Sequence, residues 1–292
     1  MYHNYSEPEL RSLCRSSIEA MERWARNIID KKLSETFGKN YFYHKSGDKN
    51  YLIKKSVIYK AKNMMNKHPE RFKREIDTLF LNEIIDILCR QELYQKCFKE
   101  ILDVSYPDGV SEVRTFLNRI ITIRNSLSHS NPISIREAEK CICYTHDFID
   151  GIKKYYEKIG VEKMFNVPNA IKLNDSLGNE IKLNNDSSFQ CIELKDSSGN
   201  LYPFQVGDKY SVWFTMDPAF SEDSYSANWH LQSGHQILEN NGKSKITIEF
   251  TEKMVAFNQA LYCEITSKKT WHKYGNYDQQ FILTFQVLPP ND

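Results

Sequence analysis

At 292 residues the chain is long enough for two domains with separate cores, and 40% apolar with 26% charged residues is ordinary for a globular protein. No apolar run approaches the ~18 residues of a membrane span, and Met1-Tyr-His-Asn-Tyr5 lacks the charged and apolar regions of a secretory leader. Seven cysteines without framework spacing imply free thiols in a reducing compartment, so a cytoplasmic protein with no membrane partner is expected.

The net charge of +1 is unevenly divided. Residues 1–165 carry 29 Lys/Arg against 23 Asp/Glu, whereas residues 166–292 carry 10 against 15. The basic half suits a polyanionic partner, and an acidic second half could compete for the same surface.

The first half reads helical. Ser6-Glu7-Pro8-Glu9 is a capping box with proline in the first turn, and the run it opens, Glu7 to Phe37, ends at Gly38. Residues 39–50 are polar, aromatic and glycine-containing, hence a loop. Ile53, Val57, Ala61 and Met65 repeat every four residues and predict an amphipathic helix. Pro69 is expected to start another, with Phe72, Ile76, Leu79 and Phe80 as its apolar positions. A further helical stretch carries Ile84, Ile87, Leu88, Tyr94 and Phe98, and Pro107-Asp108-Gly109 is a turn.

Ser111 is expected to cap the next helix, which places Val113, Phe116, Leu117, Ile120, Ile123 and Leu127 on one side. Asn131-Pro132 breaks it, because a residue before proline avoids the helical region. Ser134-Ile135-Arg136-Glu137 is a second capping box, and its helix runs to about Lys158 before Gly160. The two helices are expected to form an antiparallel hairpin.

Beyond a linker at 165–169 the period changes to that of strands. Ile171-Lys-Leu-Asn-Asp-Ser-Leu-Gly-Asn179 is echoed by Ile192-Glu-Leu-Lys-Asp-Ser-Ser-Gly-Asn200, a strand and a D-S-x-G-N hairpin turn in each copy. Five more strands are predicted, at 210–215, 227–231, 245–250, 261–266 and 281–288. Seven short strands suggest an antiparallel, immunoglobulin-like β-sandwich over residues 169–292, with Trp213 and Trp229 as core anchors. The fold expected is therefore α then β in two domains, a helical bundle over 1–165 and the sandwich. The basic, aromatic loop Lys268–Tyr274 could hold a trigger ligand or a protein, or could simply be anchored by Trp271.

Arg124-Asn125-Ser126-Leu127-Ser128-His129 is the most telling segment. Arg124 falls inside the apolar stripe, where a guanidinium is costly to hide. Asn125 and His129 fall together on a different face, beside Arg114 and Asn118. An arginine can hold a phosphate through its fork of donors, and a histidine exchanges protons near neutrality. Together they could cut RNA without a metal. An arginine so placed can also do no more than pair with a core acid such as Glu83, Asp86 or Asp147, and a histidine before Asn-Pro can simply cap a helix.

The pattern R-N-x-x-x-H resembles the R-x4-6-H signature of the HEPN superfamily, small helical domains found in many ribonuclease toxins. The resemblance extends over about residues 6–160, is best between Leu81 and Tyr156, and does not reach the β half. It implies a homodimer through the motif helix, with a composite site across a two-fold axis. It implies a metal-independent endoribonuclease with no cofactor, of the toxin or abortive-infection kind, with Arg124, Asn125 and His129 catalytic. The ribose 2′-OH would attack, Arg124 would stabilise the pentacovalent state and His129 would protonate the leaving oxygen. The alternative is a non-catalytic HEPN module that binds RNA or protein beside a β-sandwich interaction domain.

Between His44 and Arg74 ten Lys/Arg face two acids, with Tyr51 and Tyr59 interleaved. Lys54, Lys55, Lys60 and Lys62, together with Arg114, are the candidate RNA-binding residues, although the outer face of an amphipathic helix reads the same way. Cys141-Ile-Cys143 is not a metal pair, because i and i+2 point to different sides of a helix.

Overall fold

Ser6 and Glu9 start the first helix by local chemistry. The Glu9 carboxylate accepts from the Ser6 amide at 2.7 Å and from its hydroxyl at 2.6 Å, which fixes the first turn of α1 (Glu7–Phe37). Gly38, at φ +84°, ends it. The computed structural model describes residues 5–46, 50–183, 187–232 and 244–290. It divides into two compact units, Met1–Ile159 and Gly160–Asp292. The division falls before the expected boundary at 165, so the short helix after Gly160 belongs to the second unit.

In the first unit a 3-10 turn (Tyr41–Tyr43) and the pair β1 (Lys45–Ser46) and β2 (Asn50–Tyr51) occupy the expected loop, of which residues 47–49 lie outside the described residues. Then come α2 (Lys55–Lys67), α3 (Leu81–Leu88), α4 (Gln91–Leu93), a π turn (Tyr94–Phe98), α5 (Lys99–Leu102), α6 (Val110–Ser128) and α7 (Ile135–Lys158). Helix α1 packs on α3, α6 and α7, and α6 packs on α3 and α7. The shared core includes Ile18, Met21, Ile28, Leu117, Ile120, Phe148 and Ile152. Gly151 brings α7 close to α5, since a β-carbon there would lie 2.8 Å from the Ser105 hydroxyl.

Two local expectations fail. The helix expected from Pro69 is not formed. Arg74 is extended, its amide donates to Asp77 at 3.2 Å, and only a 3-10 turn (Glu75–Thr78) follows. Ile76 and Leu79 still reach the core, but Phe80 stays exposed beneath the Lys60 ammonium. Gly109 rather than Ser111 precedes α6. Its φ of +79° turns the chain into the helix, so Ser111 already lies in the first turn.

Among the described residues the second unit holds α8 (Glu162–Phe165) and nine strands, namely β3 (Ala170–Asp175), β4 (Glu180–Lys182), β5 (Phe189–Glu193), β6 (Pro203–Gln205), β7 (Lys209–Met216), β8 (Tyr225–Leu231), β9 (Lys245–Glu249), β10 (Ala256–Ser267) and β11 (Gln279–Leu288). One sheet runs β4-β3-β7-β9 and is antiparallel throughout. The other runs β5-β11-β10-β8, with β6 also on β11. Strands β5 and β6 lie parallel to β11, which corrects the all-antiparallel expectation. The sheets share one core, where Phe214 meets Trp229 and Phe281 and Phe204 meets Phe250 and Phe285.

The duplicated turns have the same geometry. Asp175 accepts from the Leu177 and Asn179 amides at 3.0 and 2.9 Å, and Asp196 from those of Ser198 and Asn200 at 2.8 and 3.0 Å. Gly178 and Gly199, at φ +88° and +83°, supply the left-handed residue in each. Trp213 is not the core anchor expected, because the alternation of β7 turns Tyr210, Val212 and Phe214 inward and leaves Trp213 under Lys245. Trp229 is fully buried.

Candidate functional site

Helix α6 presents Val113, Leu117, Ile120, Ile123 and Leu127 to the core. Its polar side is therefore fixed in direction, with Asn118, Thr122 and Asn125 exposed along it. Arg124 lies at the margin of the apolar stripe and is half-buried. Among the described residues its guanidinium has no hydrogen-bond or ion-pair partner. The acids expected to claim it are engaged elsewhere, and Asp86 and Asp147 are not core residues. Asp86 takes Lys54 and Arg114, Glu83 takes Lys60, and Asp147 accepts from the Cys143 thiol.

His129 follows the last residue of α6. Its amide donates to the Asn125 carbonyl at 3.0 Å, so its backbone caps the helix. Its imidazole is exposed and has no partner among the described residues. The chain then turns sharply. Asn131 N–H bonds to the Ser126 carbonyl at 2.9 Å and Ser130 N–H to that of Leu127 at 3.4 Å, around Ser130 at φ +57°. This is the Schellman turn, with serine where glycine is usual.

Arg11 of α1 locks that end of α6. Its guanidinium donates to the Leu127 carbonyl at 2.8 Å and to the Asn131 carbonyl, and its side chain is only 18% exposed. A cation at a helix C-terminus also meets the negative end of the macrodipole. On the other side, Ser134 and Glu137 hold the start of α7 reciprocally, at 2.9 and 3.3 Å. The segment bearing His129 is thus held at both ends. Arg11 had no sequence signal, because its partners lie 116 and 120 residues away.

Known proteins give no guide to this site. No family model, no curated protein and no solved structure matches the chain. What the arrangement can do follows from its chemistry alone. A fork of five donors without an internal partner can accept a phosphate, and an exposed imidazole about 7.5 Å further along the axis can pass protons. Asn125 precedes His129 by four residues and is exposed on the same face.

The expected RNA-binding residues separate into two groups. Lys54, Lys60 and Arg114 are drawn to acids. Lys54 bonds Asp86 at 2.6 Å, Lys60 bonds Glu83, and Arg114 reaches Asp86 at 3.4 Å and the Cys89 carbonyl at 3.3 Å. Partial burial works to raise the Asp86 pKa, but Lys54 and then Arg114 outweigh it, so the carboxyl sits below its ordinary range. Lys55 and Lys62 have no acidic partner among the described residues and lie over the Tyr51 and Tyr43 rings. With Tyr59, which is 71% exposed, they form an i, i+4, i+7 stripe on α2 suited to a nucleic-acid strand.

The loop Lys268–Tyr274 of the second unit is pinned by the buried Asp278. That carboxylate accepts from the Ser267 amide at 2.6 Å and the Lys273 amide at 2.8 Å, and lies 3.2 Å from His272 Nδ1. Trp271 lies under the Lys269 ammonium, 4.4 Å from its ring centre. Among the described residues no group of three His, Cys, Asp or Glu side chains could hold a metal, and no helix is long and apolar enough to cross a membrane.

Proposed function

We propose that this chain is a metal-independent endoribonuclease of the HEPN kind, acting as a homodimer and serving as a toxin or abortive-infection effector. The observation that carries the reading is the half-buried Arg124 guanidinium without a partner among the described residues, on the same capped helix end as an exposed His129. Arg124 holds the scissile phosphate and stabilises the charge of the pentacovalent state. The ribose 2′-OH attacks phosphorus and gives up its proton to water, the bond from phosphorus to the 5′-oxygen breaks as a protonated His129 donates a proton to that oxygen, and Asn125 orients the imidazole or the phosphate. The products are a 2′,3′-cyclic phosphate and a 5′-hydroxyl. Two copies of α6 meeting on a two-fold axis would place both Arg124/His129 pairs in one groove.

The β unit is proposed to be an immunoglobulin-like sensor or interaction domain. The strand order supports it. With β3, β7 and β9 as strands A, B and E, and β8, β10 and β11 as C, F and G, six strands match the immunoglobulin order, while β4, β5 and β6 are additions to it and no described strand takes the place of D.

The test is cleavage of total RNA by the purified protein in EDTA, with the product ends mapped. Cyclic-phosphate ends that vanish with Arg124→Ala and with His129→Ala are expected. Undiminished cleavage by His129→Ala would overturn the mechanism. Binding without cleavage, indifferent to both substitutions, would make the chain a non-catalytic RNA-binding module.

A further inference from the structure

A cleft of about 420 Å³ opens between α2, α3 and α6, well away from His129. Its floor is apolar, with Leu52, Val57 and Ile87, and its mouth carries Lys54, Asp86 and Arg114. Arg114 and Arg124 lie on one helix, ten residues and so about 15 Å apart along the axis. A strand whose phosphate sits at Arg124 and which follows the polar side of α6 through Asn125 and Asn118 reaches the cleft a few nucleotides on.

We infer that this cleft is a base-specific subsite of the proposed ribonuclease and takes a guanine of the RNA chain. The inference rests on the nuclease reading for its substrate, but not for its chemistry. The apolar floor offers a face for a planar base. A carboxylate has about four acceptor positions, so Asp86 can keep Lys54 and still accept from a base. Guanine alone presents two adjacent donors, N1–H and N2–H, to a carboxylate. Its O6 and N7 acceptors match an arginine fork. Arg114 is free to turn to them, because its bonds to Asp86 and Cys89, at 3.4 and 3.3 Å, are long and its side chain is 44% exposed. Adenine and cytosine bring one amino donor beside acceptors that face the carboxylate unfavourably, and uracil brings one imide.

The test uses the full chain carrying His129→Ala, so that RNA survives. Fluorescence anisotropy compares oligouridines with one guanosine, adenosine or cytidine at the centre, with guanosine monophosphate as competitor. The guanosine oligonucleotide should bind about tenfold or more tightly than the others, and Asp86→Asn should level that preference. If Asp86→Asn does not fold, Val57→Phe, which fills the cleft from its floor, should level it instead. Equal affinity for all four bases, or a guanosine preference untouched by both substitutions, overturns the inference. Cleavage by the wild-type chain is followed in parallel. A guanosine preference without cleavage leaves the subsite standing and removes the nuclease, and cleavage without base preference does the reverse.

Discussion

The two ends of α6 treat their arginines differently. Near its start, Arg114 reaches Asp86 and Cys89, and at its middle Arg119 donates to the Tyr144 hydroxyl at 3.2 Å while lying over the Phe116 ring. At its end, Arg124 has no such partner among the described residues. The first two cations both reach partners within the unit, Arg114 only through long bonds from a side chain that is 44% exposed. The third is held by a helix that is itself firmly packed and capped, so its donors remain available to something outside the unit. A cation kept partly desolvated without a partner costs stability and binds an arriving anion more strongly for the same reason.

Substitutions can break that contrast. The largest effect should come from Arg124→Ala or His129→Ala, each lowering RNA cleavage by about 100-fold or more while moving the unfolding free energy by less than about 0.5 kcal/mol. Arg119→Ala should leave the cleavage rate within about twofold. If it silenced cleavage as fully as Arg124→Ala, the distinction between the two ends would be lost. Ile120→Ala should cost about 2–5 kcal/mol in urea unfolding, since that side chain is fully buried under the same helix.

Smaller effects sharpen the comparison at the capped end. Arg11→Ala should cost about 1–3 kcal/mol, because two carbonyls of the turn lose charged donors. Ser130→Gly should raise stability by up to about 1 kcal/mol, seen as a higher thermal midpoint, because glycine adopts the left-handed conformation without a β-carbon penalty. The smallest effect concerns pH. The Ser134 hydroxyl, then its amide, hold the Glu137 carboxyl below its ordinary range. A depressed folded pKa gives stability that is complete above the unfolded value, near 4.3, and lost as pH falls through the folded one. Glu137→Gln should therefore cost about 0.5 kcal/mol at pH 7 and progressively less as the pH is lowered below the ordinary carboxylate range, read from denaturation midpoints along a pH series.

The parts legible from sequence were those governed by neighbours in the chain. Both serine–glutamate capping boxes, Gly38 and the twin D-S-x-G-N turns announce themselves within five residues. The segment 69–80 misled because Phe72, Ile76 and Leu79 have helical spacing. The spacing shows which residues go inward, but Asp77 bonding back to Arg74 decided the backbone. At Trp213-Phe214 either aromatic could have faced the core, and only the register of β7 against β3 and β9 settled which. Arg124 and His129 could be found by type and position. Arg11 and the cleft beside Asp86 could not, since each joins elements far apart in the chain.

The parallel pairing of β11 has a temporal consequence. Ile192 of β5 and Thr284 of β11, which bond at 3.5 Å, are 92 residues apart, and Gln279 bonds Ala170 across 109. Both D-S-x-G-N hairpins can close within microseconds of their synthesis, but β5, β6 and β10 have no common neighbour until β11 leaves the ribosome. At about 5–20 residues per second, the helical unit has its whole sequence many seconds before the β unit can finish folding. During translation the chain therefore passes through a stage in which a complete α unit trails an open, unpaired sheet edge, where aggregation would begin.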